Sequence, residues 1–214
     1  MSRNSLSDKA YEHIKKRIIY GQYPPNEMIS EKIICDEINS SRTPVREAIN
    51  RLEQDNLVKV VYKKGIMVKD ITLNDIKLIY ETRLLIEPYA LRNYGMNIDK
   101  DYLKILWDKM KNFENNEKSY QIDDELHMYF VNQTGNIYLI NTVRAIYDHN
   151  MRLRILAGQK VEYRIETTVS EHDEIISYLL DSKYEAAAES LKIHLEKARE
   201  ASYKMMLSEY NLEL

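Results

Sequence analysis

Asp123, His127, His172 and His194 form a candidate metal site. Asp123 and His127 stand four apart, so on a helix they share one face a turn apart. His172 and His194 are separated by 22 residues, and their midpoint, position 183, falls on the polar break Asp181-Ser182-Lys183. In an antiparallel helical hairpin, residues equidistant from the turn stand side by side, which puts the two imidazoles level. Three imidazoles and one carboxylate suit a borderline divalent ion, zinc or nickel first and cobalt, iron or manganese behind them. Such a set leaves positions open to water or an oxygen ligand. The competing reading makes each histidine an ordinary surface or hydrogen-bonded residue, as we read His13 and His149.

A second constellation lies in Ser40-Ser41-Arg42-Thr43-Pro44-Val45-Arg46-Glu47-Ala48-Ile49-Asn50-Arg51-Leu52. Thr43 suits the N-cap of a helix and Pro44 its first position, where a missing N–H costs nothing. Val45, Ala48, Ile49 and Leu52 fall on one stripe and leave Arg42, Arg46, Asn50 and Arg51 on the other side. The arginine fork fits phosphate oxygens or the O6/N7 edge of guanine, and asparagine can read adenine. The alternative is a solvated charged face.

The elements that must position these groups can be read from the punctuation. Ala10, Ile14 and Ile18 recur every four residues before Gly21, so a first helix runs from Ser7 to Tyr20. Tyr23-Pro24-Pro25 is an extended turn. Ser30 then caps a short helix carrying Glu31, Ile33, Ile34 and Ile38, which Asn39-Ser40-Ser41 ends. A short helix, a polar turn and a helix with outward arginines make a helix-turn-helix, whose second helix enters the major groove. Val58–Tyr62 and Ile66–Val68 read as two strands joined by Lys63-Lys64-Gly65. Lys63 and Lys64 at that tip are placed for phosphate, and Gly65 for close backbone approach; the alternative is ordinary turn lysines.

Beyond Asp70 the chain reads as six helices: Asn74–Arg92, Asp99–Asn115, Tyr120–Gln133, Asn136–Leu156, Thr167–Leu180 and Lys183–Ser208. Pro88 is expected to bend the first of them. The expected fold is mainly α: a winged helix-turn-helix with a small β-hairpin over residues 1–70, then an all-α bundle over 71–214. The formal net charge of −3 divides unevenly, with 13 Lys+Arg against 10 Asp+Glu through residue 70 and 18 against 24 beyond it. Two domains with different partners fit that asymmetry. Cys35 is the only cysteine, so an intrachain disulfide is excluded. No signal peptide and no run near the roughly 18 apolar residues of a membrane span is present, which fits a cytoplasmic protein with no membrane partner.

The segment Tyr11–Val68 resembles the winged helix of the GntR superfamily of bacterial transcription regulators. The residues that carry the resemblance are Ile18, Gly21, Pro24, Pro25, Ser30, Glu31, the string Ser41-Arg42-Thr43-Pro44-Val45-Arg46-Glu47-Ala48, Leu52-Glu53 and Leu57-Val58. Asn26 and Asn39-Ser40 stand where the family usually has glycine and a glycine-apolar turn, and asparagine tolerates the left-handed region. By this resemblance Lys32, Arg42, Thr43 and Arg46 match positions that touch DNA, and Gly65 matches the wing-tip glycine. The second half resembles the FCD ligand-sensing domain of the FadR-type branch through Asp123-x-x-x-His127, Glu171-His172, His194-Leu195, Gly135-Asn136 and Arg83-x-x-x-Glu87. The resemblance implies that Asp123, His127, His172 and His194 hold a metal. It also implies that Arg83 lies in the sensing cavity, where a guanidinium can grip an effector carboxylate. The alternative for Arg83 is an i, i+4 ion pair with Glu87.

These readings together lead to a homodimeric DNA-binding repressor of a palindromic operator, controlled by a small carboxylate bound near a divalent metal. Two other classes compete: a metal-dependent hydrolase, for which Glu171 is the only general-base candidate, and a winged-helix module that binds a protein partner.

Overall fold

The computed structural model describes residues 5–111, 114, 116–157 and 164–209. The chain divides into two compact units, Met1–Ile71 and Thr72–Leu214.

In the first unit, α1 (Leu6–Ile19) is started by a reciprocal capping box between Ser5 and Asp8, and it buries Ala10, Ile14, Ile18 and Ile19. β1 (Met28–Ile29) follows, then α2 (Glu31–Ile38) and α3 (Arg42–Gln54), then β2 (Val58–Val61) and β3 (Gly65–Val68). Ser30 accepts from the Ile33 N–H to cap α2, and Asn39 ends that helix in the left-handed region with φ 48°. Asn26 also holds a positive φ of 66°, so both asparagines do at these turns what glycine would do. The strands form one antiparallel sheet in the order β1-β3-β2. Ile29 pairs with Ile66 on one side of β3, and Val60 pairs with Ile66 on the other. Sequence periodicity shows only the β2–β3 hairpin, because a two-residue strand is too short to alternate. Ala10, Ile14, Ile18, Ile34, Val45, Ala48, Leu52, Leu57, Val58 and Val68 close the core between helices and sheet.

The start of α3 corrects one expectation. Its N-cap is Ser41, not Thr43, and Pro44 is the third helical residue. None of the first four N–H groups of a helix has an intrahelical partner, and the residue four before Pro44, whose carbonyl a proline ring would crowd, is Ser40, outside the helix. Pro44 therefore marks the first turn without singling out a position within it.

The second unit contains α4 (Leu73–Tyr94), α5 (Lys100–Met110), α6 (Glu117–Asn132), α7 (Ile137–Ala157), α8 (Arg164–Leu180) and α9 (Tyr184–Glu209). α4 opens with a capping box of Thr72 and Asp75 and runs on through Pro88. The expected end of α5 at Asn115 lies outside the described residues. Leu91, Leu103, Leu106, Trp107, Met110, Leu126, Phe130, Ile175, Leu179, Leu191 and Leu195 form its main core, contributed by α4, α5, α6, α8 and α9. A smaller cluster joins Val131, Val143 and Tyr147 under Ile86, Met128 and Ile140. Ser182, at φ 59°, turns the chain between α8 and α9. Among the described residues no helix is long and apolar enough to cross a membrane.

Candidate metal centre and nucleic-acid surface

α6 supplies Asp123 and His127 one turn apart, α8 supplies His172, and α9 supplies His194. All four are buried. One ligand atom from each lies within 4.8 Å of the others. The rings of His172 and His194 are 4.4 Å apart between centroids, as the equal distances from the α8–α9 turn require.

The groups behind the imidazoles decide which nitrogen faces inward. His127 Nδ1 lies 2.6 Å from Glu87 Oε2, His172 Nδ1 2.8 Å from the Thr168 carbonyl, and His194 Nδ1 2.7 Å from Glu171 Oε2. Each of these partners is an acceptor, so each Nδ1 carries the proton and donates it outward. The three Nε2 lone pairs are left to converge, and those of His127 and His172 stand 3.1 Å apart. Neutral lone pairs at that distance repel unless a cation lies between them. Asp123 adds a buried Oδ1 that accepts no hydrogen bond, although His172 Nε2 is 3.2 Å away. Its other oxygen takes a 2.6 Å bond from Arg154 Nη1. A buried, unpaired carboxylate oxygen facing three imidazole lone pairs is a donor set that fits a divalent cation.

The local field keeps these groups in ligating form. Burial lowers His127 below its ordinary pKa and holds His194 down at about 3, so both imidazoles are uncharged at neutral pH. Burial opposes the charge on Asp123, but the Arg154 guanidinium beside it holds its carboxyl well below the usual range. Burial raises neighbouring Asp124 to about 7 against the pull of Arg154.

Arg83 is 2% exposed. Its Nε donates to Glu87 Oε1 at 2.7 Å, and its guanidinium lies against the Tyr80 and Tyr147 rings. Glu87 also accepts from the Tyr147 hydroxyl at 2.8 Å and from His127. Arg83 Nη2 is 3.2 Å from His127 Nδ1, but that nitrogen's hydrogen points to Glu87, so this is a contact without a bond. The structure thus contains the i, i+4 ion pair that the sequence offered as the alternative for Arg83.

Four partners of the site escaped the sequence reading: Thr168, Arg154, Tyr147, and Glu87 in its role behind His127. Glu171 was visible as a general-base candidate and as part of the Glu171-His172 pair; here it accepts from His194 and lies 3.2 Å from Lys197. The adjacency Glu171-His172 was the available signal, but Glu171 serves the histidine of the next helix.

In the first unit, Lys32, Arg42, Thr43 and Lys64 are exposed. Arg46 is exposed as well, and its Nε lies 3.0 Å from both carboxylate oxygens of Glu31 on α2. Arg51 ties α3 to α1, giving Nη1 to Asp8 at 2.7 Å and lying 4.1 Å from the Tyr11 ring centroid. Lys64 occupies the β2–β3 turn. Gly65 holds φ 125°, and a Cβ there would stand 2.8 Å from the Ile29 carbonyl. Its lack of a side chain is required by the sheet itself.

Residues 6–68 match the bacterial regulatory proteins of the gntR family, and residues 78–197, more than half of the chain, match the FCD domain. This chain is a GntR-family regulator with an FCD domain. It is a DNA-binding transcriptional regulator and not an enzyme. The regulator is 28% identical over 196 residues to the uncharacterised transcriptional regulator YdhC of Bacillus subtilis, covering 86% of this chain and 85% of that one. It is 24% identical to the transcriptional repressor GlaR of Escherichia coli, covering 86% of this chain and 90% of that one. The crystal structure of a GntR regulator from Rhodococcus sp. RHA1 shares the fold, with a TM-score of 0.81 at 21% identity, over 92% of this chain and 97% of that one.

Proposed function

We propose that this regulator is a homodimeric repressor that reads a palindromic operator and releases it when a small carboxylate binds beside a divalent metal in the helical unit. Arg42, Thr43 and Arg46 read bases, Lys32 and Lys64 neutralise phosphates, and Gly65 lets the hairpin carry Lys64 at its tip. Twofold symmetry of the protein would match twofold symmetry of the site. The repressor sense is supported by the description of GlaR.

The observation that carries the sensing half is the convergence of three Nε2 lone pairs and the unpaired Asp123 Oδ1 within one buried cluster. Asp123, His127, His172 and His194 would hold zinc or nickel, which when bound supplies a Lewis-acid centre with room for an oxygen ligand. Glu87, Thr168 and Glu171 fix the imidazoles, and Arg154 fixes the carboxylate. Arg83 stays committed to Glu87, so an effector carboxylate meets Arg83 only as the shared partner of an existing ion pair. Effector binding changes operator affinity to the extent that it favours one arrangement of the protein over the other.

Two measurements test this reading. Metal content of the purified protein should be stoichiometric and should fall in His127→Ala, His172→Ala and His194→Ala alike; unchanged content in all three refutes the site. Fluorescence anisotropy with DNA from upstream of the regulator's own gene should show tight, salt-sensitive binding that Arg46→Ala weakens and that a screened carboxylic acid reverses. Equal, salt-independent binding by the wild type and Arg46→Ala would refute the reading head.

A further inference from the structure

We infer that Glu31 is a positioning residue for base reading: it holds Arg46 by Nε alone, so that both Nη groups of that arginine are presented together to a single guanine. The inference rests on the DNA-reading role proposed above and adds to it a residue of the opposite charge.

The geometry of the pair is the starting point. An arginine and a carboxylate in their strongest arrangement meet fork to fork, with two parallel N–H···O bonds. Here Glu31, the first residue of α2, approaches the flank of the guanidinium, and both of its oxygens sit 3.0 Å from Nε. Among the described residues, neither Nη of Arg46 donates to a protein acceptor. The two N–H groups that match O6 and N7 of guanine are therefore left unused by the protein.

Its neighbours on α3 show what the pair is not. Arg51 spends Nη1 on Asp8 and lays its guanidinium over Tyr11, which makes it a brace between helices. Among the described residues no such ring lies beneath Arg46, and 61% of its side chain is exposed. An ion pair this exposed adds little to stability, so folding does not account for it. Arg42, one turn earlier, is exposed and makes no ion pair among the described residues.

Electrostatics sharpens the inference. A carboxylate beside a surface that binds phosphates works against affinity for every sequence equally. Ordering a long side chain before binding acts differently, because it reduces the freedom lost when the fork meets one particular base. Glu31 thus trades general attraction for discrimination at one base pair in each half-site.

The test uses the full-length protein and a library of DNA duplexes with a randomised core, sequencing the bound fraction for wild type, Glu31→Gln, Arg46→Ala and the double variant. Glu31→Gln keeps the size of the side chain and removes its charge; thermal unfolding should be unchanged. We expect Arg46→Ala to erase preference for guanine at one position. Glu31→Gln should weaken preference at that same position by about three- to tenfold, within the worth of one bidentate pair, while raising binding to unselected DNA. The double variant should match Arg46→Ala. Full guanine preference in Glu31→Gln would overturn the positioning role while leaving the reading head intact. If Arg46→Ala loses no base preference, Arg46 is not a base reader and the inference falls with it. If the wild type enriches no sequence at all, the DNA-reading proposal itself fails, which is a distinct result.

Discussion

The two units carry their charges in opposite ways. In the first, Lys32, Arg42, Arg46 and Lys64 are exposed on a framework whose interior is apolar. In the second, Arg83, Glu87, Asp123, His127, His172 and His194 are buried, and the site is held by polar groups from four helices, with Arg154 supplied by a fifth. Cations that meet phosphate must stay solvated until they do, because their contribution comes from exchanging counterions at binding. Ligands of a metal must be ordered beforehand, with each lone pair aimed and each far nitrogen given an acceptor. An exposed charge can therefore be lost with little effect on folding, whereas a buried one cannot.

The sharpest way to break this comparison is Glu87→Ala. It removes the acceptor shared by Arg83, Tyr147 and His127 and leaves a buried guanidinium unpaired, which should cost about 3–5 kcal/mol in urea unfolding. A loss below 1 kcal/mol would mean that the second unit tolerates buried charge as the first tolerates exposed charge. Next in size, Glu171→Gln weakens the acceptor behind His194, and metal affinity measured by competition with a chelator should fall about 10- to 100-fold. Gly65→Ala forces a side chain toward the Ile29 carbonyl at φ 125°. It should destabilise the protein by about 1–3 kcal/mol through backbone strain, read as a lowered unfolding midpoint. At the small end, Lys64→Ala should leave that midpoint unchanged and reduce the slope of log affinity against log salt by about one. A shift in the midpoint without a change in slope would move Lys64 from the phosphate-facing set to the structural one.

Much of the framework was legible because it depends on neighbours along the chain. Ser30 as a cap, the asparagines at positive φ, and the β2–β3 hairpin are local decisions. So is the pairing of His172 with His194, since the register of an antiparallel hairpin follows from counting residues to its turn. Ser41 as the cap of α3 was missed because proline is compatible with any place in a first turn. β1 was missed because two residues carry no period. Thr168 behind His172 lies one turn back on the same helix, but any residue there has a carbonyl, so its type gave no signal.

The sequence by itself determined which side chains could ligate and which helix faces are apolar, because helical periodicity follows from spacing and turn chemistry from residue type. Tertiary structure decided what those groups meet. It set Glu31 against the Nε edge of Arg46, gave Glu87 to His127, gave Glu171 to His194 and assigned Arg154 to Asp123. Each of these pairs joins two different helices, and hydrogen bonds a few ångströms long depend on how helices pack against one another, which no spacing within a single helix encodes.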